Sequence, residues 1–362
     1  MLLYRLNLSW IRSSLYNEGM KKVFVFFAFI IILLLLFKYL NSPRQSFISP
    51  LGKPTPTEKP LLKYTFENLR KTQFPKSKIV LDHNYSETAD STSQIFYFQA
   101  PKVPGGMEMD KVSGLMNIPK KPGIYPVIIM LRGFVPDEMY QPGIGTQHVA
   151  EVLAQNGYIT LAPDFLGFGE SNAPSKDSFE ARFQTYTTTL TLLASISSLN
   201  EGLNASYSGS ISANITKIGL WGHSNGGHIA LSTLAISGVT YPTVLWAPVS
   251  KSFPYSILYY SDDADDHGKA LRAVLANFER DYNADLFSPL NYYSSIKAPL
   301  SIHQGDKDTA VPKEWSQDLI SALKNEEIDV VYNVYNGDHN MLPSAWNDAV
   351  RNSLIFFDTQ LK

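Results

Sequence analysis

The 362-residue chain contains no cysteine. Disulfides, thiolate nucleophiles and cysteine-ligated zinc are therefore excluded, while the redox compartment stays open, because a cysteine-free domain works in either. A dominant charge of one sign is also missing. Lys and Arg total 31 and Asp and Glu total 33, for a formal net charge of −2. With no basic stripe and no nucleic-acid motif, nothing in the chain points to a nucleic-acid partner. Internal repeats are absent too. What is present is ordinary for a globular protein with a large core: 44% hydrophobic and 18% charged residues.

One long apolar run stands out. Residues 23–37, VFVFFAFIIILLLLF, carry no polar side chain, with Lys21 and Lys22 before them and Lys38 after. Adding Tyr39 and Leu40, with Lys38 snorkelling, brings the run close to the ~20 residues a spanning helix needs. Residues 23–40 read as a transmembrane signal anchor and residues 1–22 as a cytoplasmic segment, leaving the bulk of the chain extracytoplasmic. A cleaved signal peptide is the alternative, but no A-x-A-like site follows. Met20-Lys21-Lys22 resembles a natural start, so residues 1–19 are expected to derive from an upstream start. Residues 41–63 read as a semi-rigid tether, since NSPRQSFISPLGKPTPTEKP carries five prolines and little that could form a core. Folding is expected to begin between Lys63 and Ile79.

The rest, residues 64–362, reads as one α/β domain. QIFYFQA and KVSGLMNIP are early strands expected to form an edge hairpin. YPVIIMLRG is a continuous apolar run, as in a strand buried on both faces. TQHVAEVLAQNG is a helix with Thr146 as N-cap and Gly157 as its stop. YITLAP, KIGLWG, PTVLWAP, PLSIHQG and DVVYNVYNG read as further strands with helical segments between them. SKDSFEARFQTYTTTLTLLASISSLN reads as one helix. This alternation predicts a mostly parallel sheet with helices on both faces, and such a sheet places its ligand outside the carboxyl ends of its strands. Residues 251–295 interrupt the pattern and are too long for a plain connection. A helical insertion over the strand ends is expected there, shaping the pocket.

Gly222-His223-Ser224-Asn225-Gly226 matches G-x-S-x-G between a strand and a helix, a context that makes a weak pattern specific. A Ser/Gly turn without chemistry is the bland alternative. The turn would present Ser224 as a nucleophile, with the Asn225 N–H facing a developing oxyanion. Serine needs a base. Of the seven histidines, His339 lies on a loop after the last strand, where it can return to the strand ends. His223 and His228 flank the elbow but cannot easily reach the Ser224 side chain. LSIHQGDKDTAVP ends a strand with Asp306 and Asp308, and either could orient His339. The order nucleophile, acid, base agrees with that of α/β hydrolases. A second oxyanion donor should come from the loop Arg132-Gly133-Phe134. The Phe134 N–H is the candidate, against a plain strand-to-loop turn. DFLGFGES at 164–171 reads as structural.

On these residues the chain resembles the α/β-hydrolase superfamily over roughly residues 110–360. It is most similar to prolyl oligopeptidase-like (S9) catalytic domains and dienelactone-hydrolase-like enzymes. GHSNGG matches the family's elbow, and His303-Gln304-Gly305-Asp306-Lys307-Asp308 its acid segment. There the acid stands three residues after the glycine, which selects Asp308 over Asp306. The resemblance implies a serine hydrolase with Ser224, Asp308 and His339 as triad, needing no metal or organic cofactor, and the apolar run at 23–40 is expected to anchor it in a membrane. The family's H-G-G oxyanion segment is Arg132-Gly133-Phe134 here. The stretch between tether and first strands is too short for the propeller that restricts access in the peptidases. An S9 peptidase-like hydrolase is the main expectation, with a carboxylesterase or dienelactone-hydrolase-like enzyme on small esters as the alternative, and a catalytically silent binding module as the alternative from another class. The sequence leaves the oligomeric state open.

Overall fold

The computed structural model describes residues 59–261 and 266–362. The apolar run at 23–37 lies outside them. Among the described residues no helix is long and apolar enough to cross a membrane.

A nine-stranded sheet organises the described residues. The strands are β1 (Val80–Glu87), β2 (Ser91–Pro101), β3 (Met109–Pro119), β4 (Gly123–Leu131), β5 (Ile159–Pro163), β6 (Ile211–His223), β7 (Thr243–Trp246), β8 (Leu300–Gly305) and β9 (Val330–Tyr335). Their order is β1-β2-β3-β5-β4-β6-β7-β8-β9. Pairing is antiparallel from β1 through β3 to β5, and parallel from β5 onward. The helices are α1 (Phe66–Lys71), α2 (Gln147–Gln155), α3 (Ser178–Ser195), α4 (Leu199–Tyr207), α5 (Asn225–Ser237), α6 (Tyr255–Leu258), α7 (Lys269–Asp281), α8 (Lys313–Asn325) and α9 (Trp346–Leu361).

β4 shows why the sheet is covered on both faces. Val127 through Leu131 are all 0% exposed. Because side chains alternate, Val127, Ile129 and Leu131 join one core with α3, α5 and α8, while Ile128 and Met130 join another with α2 and α9. Each such side chain contributes roughly 1.5–3 kcal/mol by leaving water. α5 is buried from Gly226 to Ile236. A helix apolar on all sides can only lie inside, and this one fixes the residue before it.

Several expectations need correction. β1 was not expected: it is polar and largely exposed, without a two-residue alternation. It makes the β2–β3 hairpin second from the edge. Thr146 stands at the N-cap of α2, but its hydroxyl donates to Gly143 O at 3.0 Å and caps nothing. Gly157 follows α2 at φ +82°, as expected for its stop. The long helix breaks at a 3-10 turn, Ile196–Ser198, between α3 and α4. The end of the tether also belongs to the domain. Pro60–Tyr64 form a 3-10 turn that buries Leu61 and Tyr64, and the compact unit starts at Lys59. The stretch 251–295 is helical where described, with α6, α7 and two 3-10 turns.

Candidate active site

Ser224 sits between β6 and α5 with φ 57° and ψ −120°, a conformation that L-residues avoid. The surrounding structure holds it there. Its N–H donates to Trp246 O at 2.9 Å, and its carbonyl accepts from Gly227 N and Val249 N, both at 3.0 Å. The glycines at 222 and 226 serve close approach. A Cβ on Gly226 would lie 1.9 Å from Leu131 O, and one on Gly222 would lie 2.6 Å from Gly226 O. His228 supports the elbow from beneath. Burial, and then the Arg182 charge, push its imidazole down to about 3, so it is neutral. Its Nδ1–H donates to Val249 O at 3.2 Å, which leaves Nε2 to accept from the Tyr186 hydroxyl at 2.9 Å.

The loop after β9 is shaped by two aspartates. Asp306 N donates to Tyr335 O at 2.8 Å and its Oδ1 accepts from Gly337 N at 3.2 Å, so it works as a turn residue. Asp338 Oδ1 accepts from Asn340 N and Leu342 N at 2.8 and 2.9 Å. Between these anchors His339 Nδ1 reaches Asp308 Oδ2 at 2.8 Å. The other Asp308 oxygen accepts from Ala310 N and Val311 N at 2.9 and 2.8 Å, and Gln304 Nε2 donates to Oδ2 at 3.0 Å. Burial alone would raise the Asp308 carboxyl, but the bonds from His339 and the two amides outweigh it and hold it below the usual range. Gln304 is itself fixed by Ser316 Oγ, which donates to its Oε1 at 2.7 Å. The bond from Gln304 to Asp308 was not expected from the sequence, although a glutamine at the end of the strand PLSIHQG, four residues before Asp308, was its signal.

His223 was expected to be a bystander. It packs against His339 instead. Its Nε2 lies 3.0 Å from His339 O, and because a carbonyl only accepts, Nε2 carries the proton. The two rings lie 4.6 Å apart. Burial first, then the neighbouring His339, push the His223 imidazole down to about 4. His223 is thus a neutral brace for the His339 loop.

Ser224, Asn225, His339 and Phe134 line one cavity of about 770 Å³. No hydrogen bond joins Ser224 Oγ to His339 among the described residues. Gly133 packs against the serine: a Cβ there would lie 3.0 Å from Ser224 Cβ. Among the described residues, the Phe134 N–H donates no backbone hydrogen bond. The insertion contributes Ser256, Ile257, Tyr260 and Leu271 to the walls, and α3 contributes Arg182. The loop 164–171 is structural: Asp164 accepts from Ser113 Oγ at 2.6 Å and from the Tyr140 hydroxyl. No cluster of three or more His, Asp or Glu side chains that could hold a metal ion occurs among the described residues. A strained serine, a carboxylate-held imidazole and the backbone amides of Asn225 and Phe134 around one cavity can support acyl transfer.

The sheet order and this strand–serine–helix turn define an α/β-hydrolase fold. The dienelactone hydrolase family matches residues 112–342, well over half of the chain, and the chain belongs to that family. No curated protein matches it. Among solved structures, an acetyl xylan esterase from Paenibacillus sp. R4 superposes with a TM-score of 0.57 at 15% identity, covering 86% of this chain and 96% of that one. Acetyl xylan esterase 1 from Thermoanaerobacterium sp. JW/SL YS485 gives 0.52 at 14% identity, covering 84% and 94%. The α/β hydrolase GrgF from Penicillium sp. sh18 gives 0.50 at 15% identity, covering 74% and 99%. At these identities the likeness is one of fold.

Proposed function

We propose that the chain is a carboxylic ester hydrolase working through an acyl-enzyme on Ser224. The observation that carries this reading is the His339–Asp308 pair, 2.8 Å apart, at the same cavity as the strained Ser224. His339 Nε2 takes the serine proton as Oγ attacks the acyl carbonyl, and Asp308 holds the ring in the tautomer that leaves Nε2 free. The Asn225 and Phe134 N–H groups donate to the oxyanion. His339 returns the proton to the leaving alcohol, and water then releases the acid by the same steps in reverse.

Family membership supports esters over peptides, because the family is named for the hydrolysis of a lactone, a cyclic ester. The cavity supports a small substrate carrying an anionic group. Its walls include Phe134, Val135, Val249, Ile257 and Leu271, and Arg182 is the one permanent charge among the described lining residues. The Arg182 Nε is buried without a partner among them.

A panel of p-nitrophenyl esters and peptide anilides, with fluorophosphonate labelling, tests the assignment. Ester turnover and labelling are expected in the wild type and neither in Ser224→Ala. Anilide turnover above ester turnover would restore the S9 peptidase reading. A folded wild type that takes no label would make the chain a binding module. We also propose that residues 23–40 anchor the enzyme in a membrane, on the support of the sequence pattern alone. Retention of the native protein in membranes after an alkaline carbonate wash is expected, and its release would sink the anchor.

A further inference from the structure

We infer that Arg132 is a positioning residue for the oxyanion hole, an inference that rests on the ester-hydrolase reading. The side chain is 8% exposed. A purely packing role at such a place is better filled by an apolar residue, since burying a cation unpaired is expensive. Among the described residues, Arg132 has a cation's surroundings without a carboxylate in an ion pair with it. Its guanidinium lies 4.1 Å from the Phe168 ring centroid, 4.9 Å from that of Tyr140 and 5.7 Å from that of Phe165. Such aromatic faces hold a cation in place. The nearby Asp164 carboxylate is taken up by Ser113 and Tyr140.

What the rings hold in place is a donor. Arg132 Nη1 donates to Gly133 O at 3.0 Å, and Nη2 donates to Asp164 O at 3.1 Å. The Gly133 carbonyl belongs to the same planar unit as the Phe134 N–H. In a trans peptide the two point in opposite directions. Pinning the carbonyl to Arg132 therefore turns the Phe134 N–H away from the guanidinium, on a loop that packs against Ser224. A charged donor on the carbonyl also polarises the peptide and strengthens its N–H as a donor. The second Arg132 bond ties this peptide to the end of β5, so the loop cannot rotate freely.

The arrangement accounts for the segment Arg132-Gly133-Phe134 as it stands. Gly133 suits this position because a Cβ there would press on Ser224 Cβ at 3.0 Å. The arginine orients the donor, and the exposed Phe134 side chain is incidental to that.

The test compares wild type, Arg132→Met and Arg132→Lys on one p-nitrophenyl ester, with circular dichroism and melting temperature as controls. A trifluoromethyl ketone supplies an oxyanion mimic. For Arg132→Met the expected result is a loss of kcat of about 10- to 100-fold, less than for deleting a donor outright. KM should stay within about twofold, and inhibition by the ketone should weaken by the same factor as kcat/KM. Arg132→Lys should recover part of kcat through its charge, but not all, because it lacks the fork. A kcat within about twofold of wild type in both variants, or a rise in KM with kcat unchanged, overturns the role. If Arg132→Met does not fold, Arg132→Lys decides on the same criteria. An inert wild type overturns the ester-hydrolase reading and this inference with it. An active wild type with an unaffected Arg132 series overturns this inference alone.

Discussion

His339 Nδ1 meets Asp308 Oδ2 at 2.8 Å, and the carboxylate is sealed at 0% exposure while the imidazole remains 20% exposed. The Asp308 carboxylate is therefore insulated and the His339 imidazole is open to the cavity. Asp308→Asn keeps the shape but offers an amide in place of the acceptor, which favours the wrong His339 tautomer. Its kcat should fall roughly 10³- to 10⁴-fold with the fold intact. Asp306→Asn keeps an oxygen for Gly337 N and should change kcat little. Ester assays of the two variants check this, and a larger loss for Asp306→Asn would reverse the assignment.

Much of this was legible in the sequence, for physical reasons. YPVIIML has no polar gap, so it could only be a doubly covered strand. Ser224, Asp308 and His339, the proposed nucleophile, acid and base, come from three short segments, each ending a strand in a turn. What escaped the sequence depends on long-range packing. β1 carries no alternation because little covers it. His223 and His228 look alike beside the elbow, yet one braces the His339 loop and the other bonds Val249 and Tyr186. Arg182 is one cation on a helix until the fold points it into the cavity. The partners of Arg132 lie on two later loops.

Space at the elbow makes a stability prediction. A Cβ on Gly226 would meet Leu131 O, a backbone atom of a central strand that cannot move aside. Gly226→Ala should destabilise by about 3 kcal/mol or more, or fail to accumulate. Gly209 has φ +80° but nothing within 4 Å of a Cβ, so Gly209→Ala should cost only about 1 kcal/mol of backbone strain. Urea unfolding of both variants tests the contrast, and equal losses would show that Leu131 yields.

Arg182 should control selectivity without taking part in the chemistry. A charge-assisted bond to a substrate carboxylate is worth about 1.5–3 kcal/mol. Arg182→Gln should therefore raise KM roughly 10- to 100-fold for a p-nitrophenyl hemiester of a dicarboxylic acid. Values for p-nitrophenyl acetate should stay within about threefold. Parallel losses on both esters would make Arg182 a packing residue.

Two fully buried histidines set an acid limit on stability. His303 bonds Ser301 Oγ through Nε2 and the Tyr335 hydroxyl through Nδ1, at 2.9 and 2.8 Å. Burial pushes its imidazole down to about 3, and that of His228 to the same region. An unfolded histidine titrates near 6.5, so between about pH 6.5 and 4 the unfolded chain binds more protons than the native one. Stability is then fully present above about pH 6.5 and falls as the pH drops, levelling only near the folded values. His303→Gln removes one of these groups. Its urea-derived stability should fall less steeply between pH 6.5 and 4.5 than that of the wild type, by about one proton in slope. Equal slopes would mean that His303 is already charged in the native state, and the bonds to Ser301 and Tyr335 would have to be reassigned.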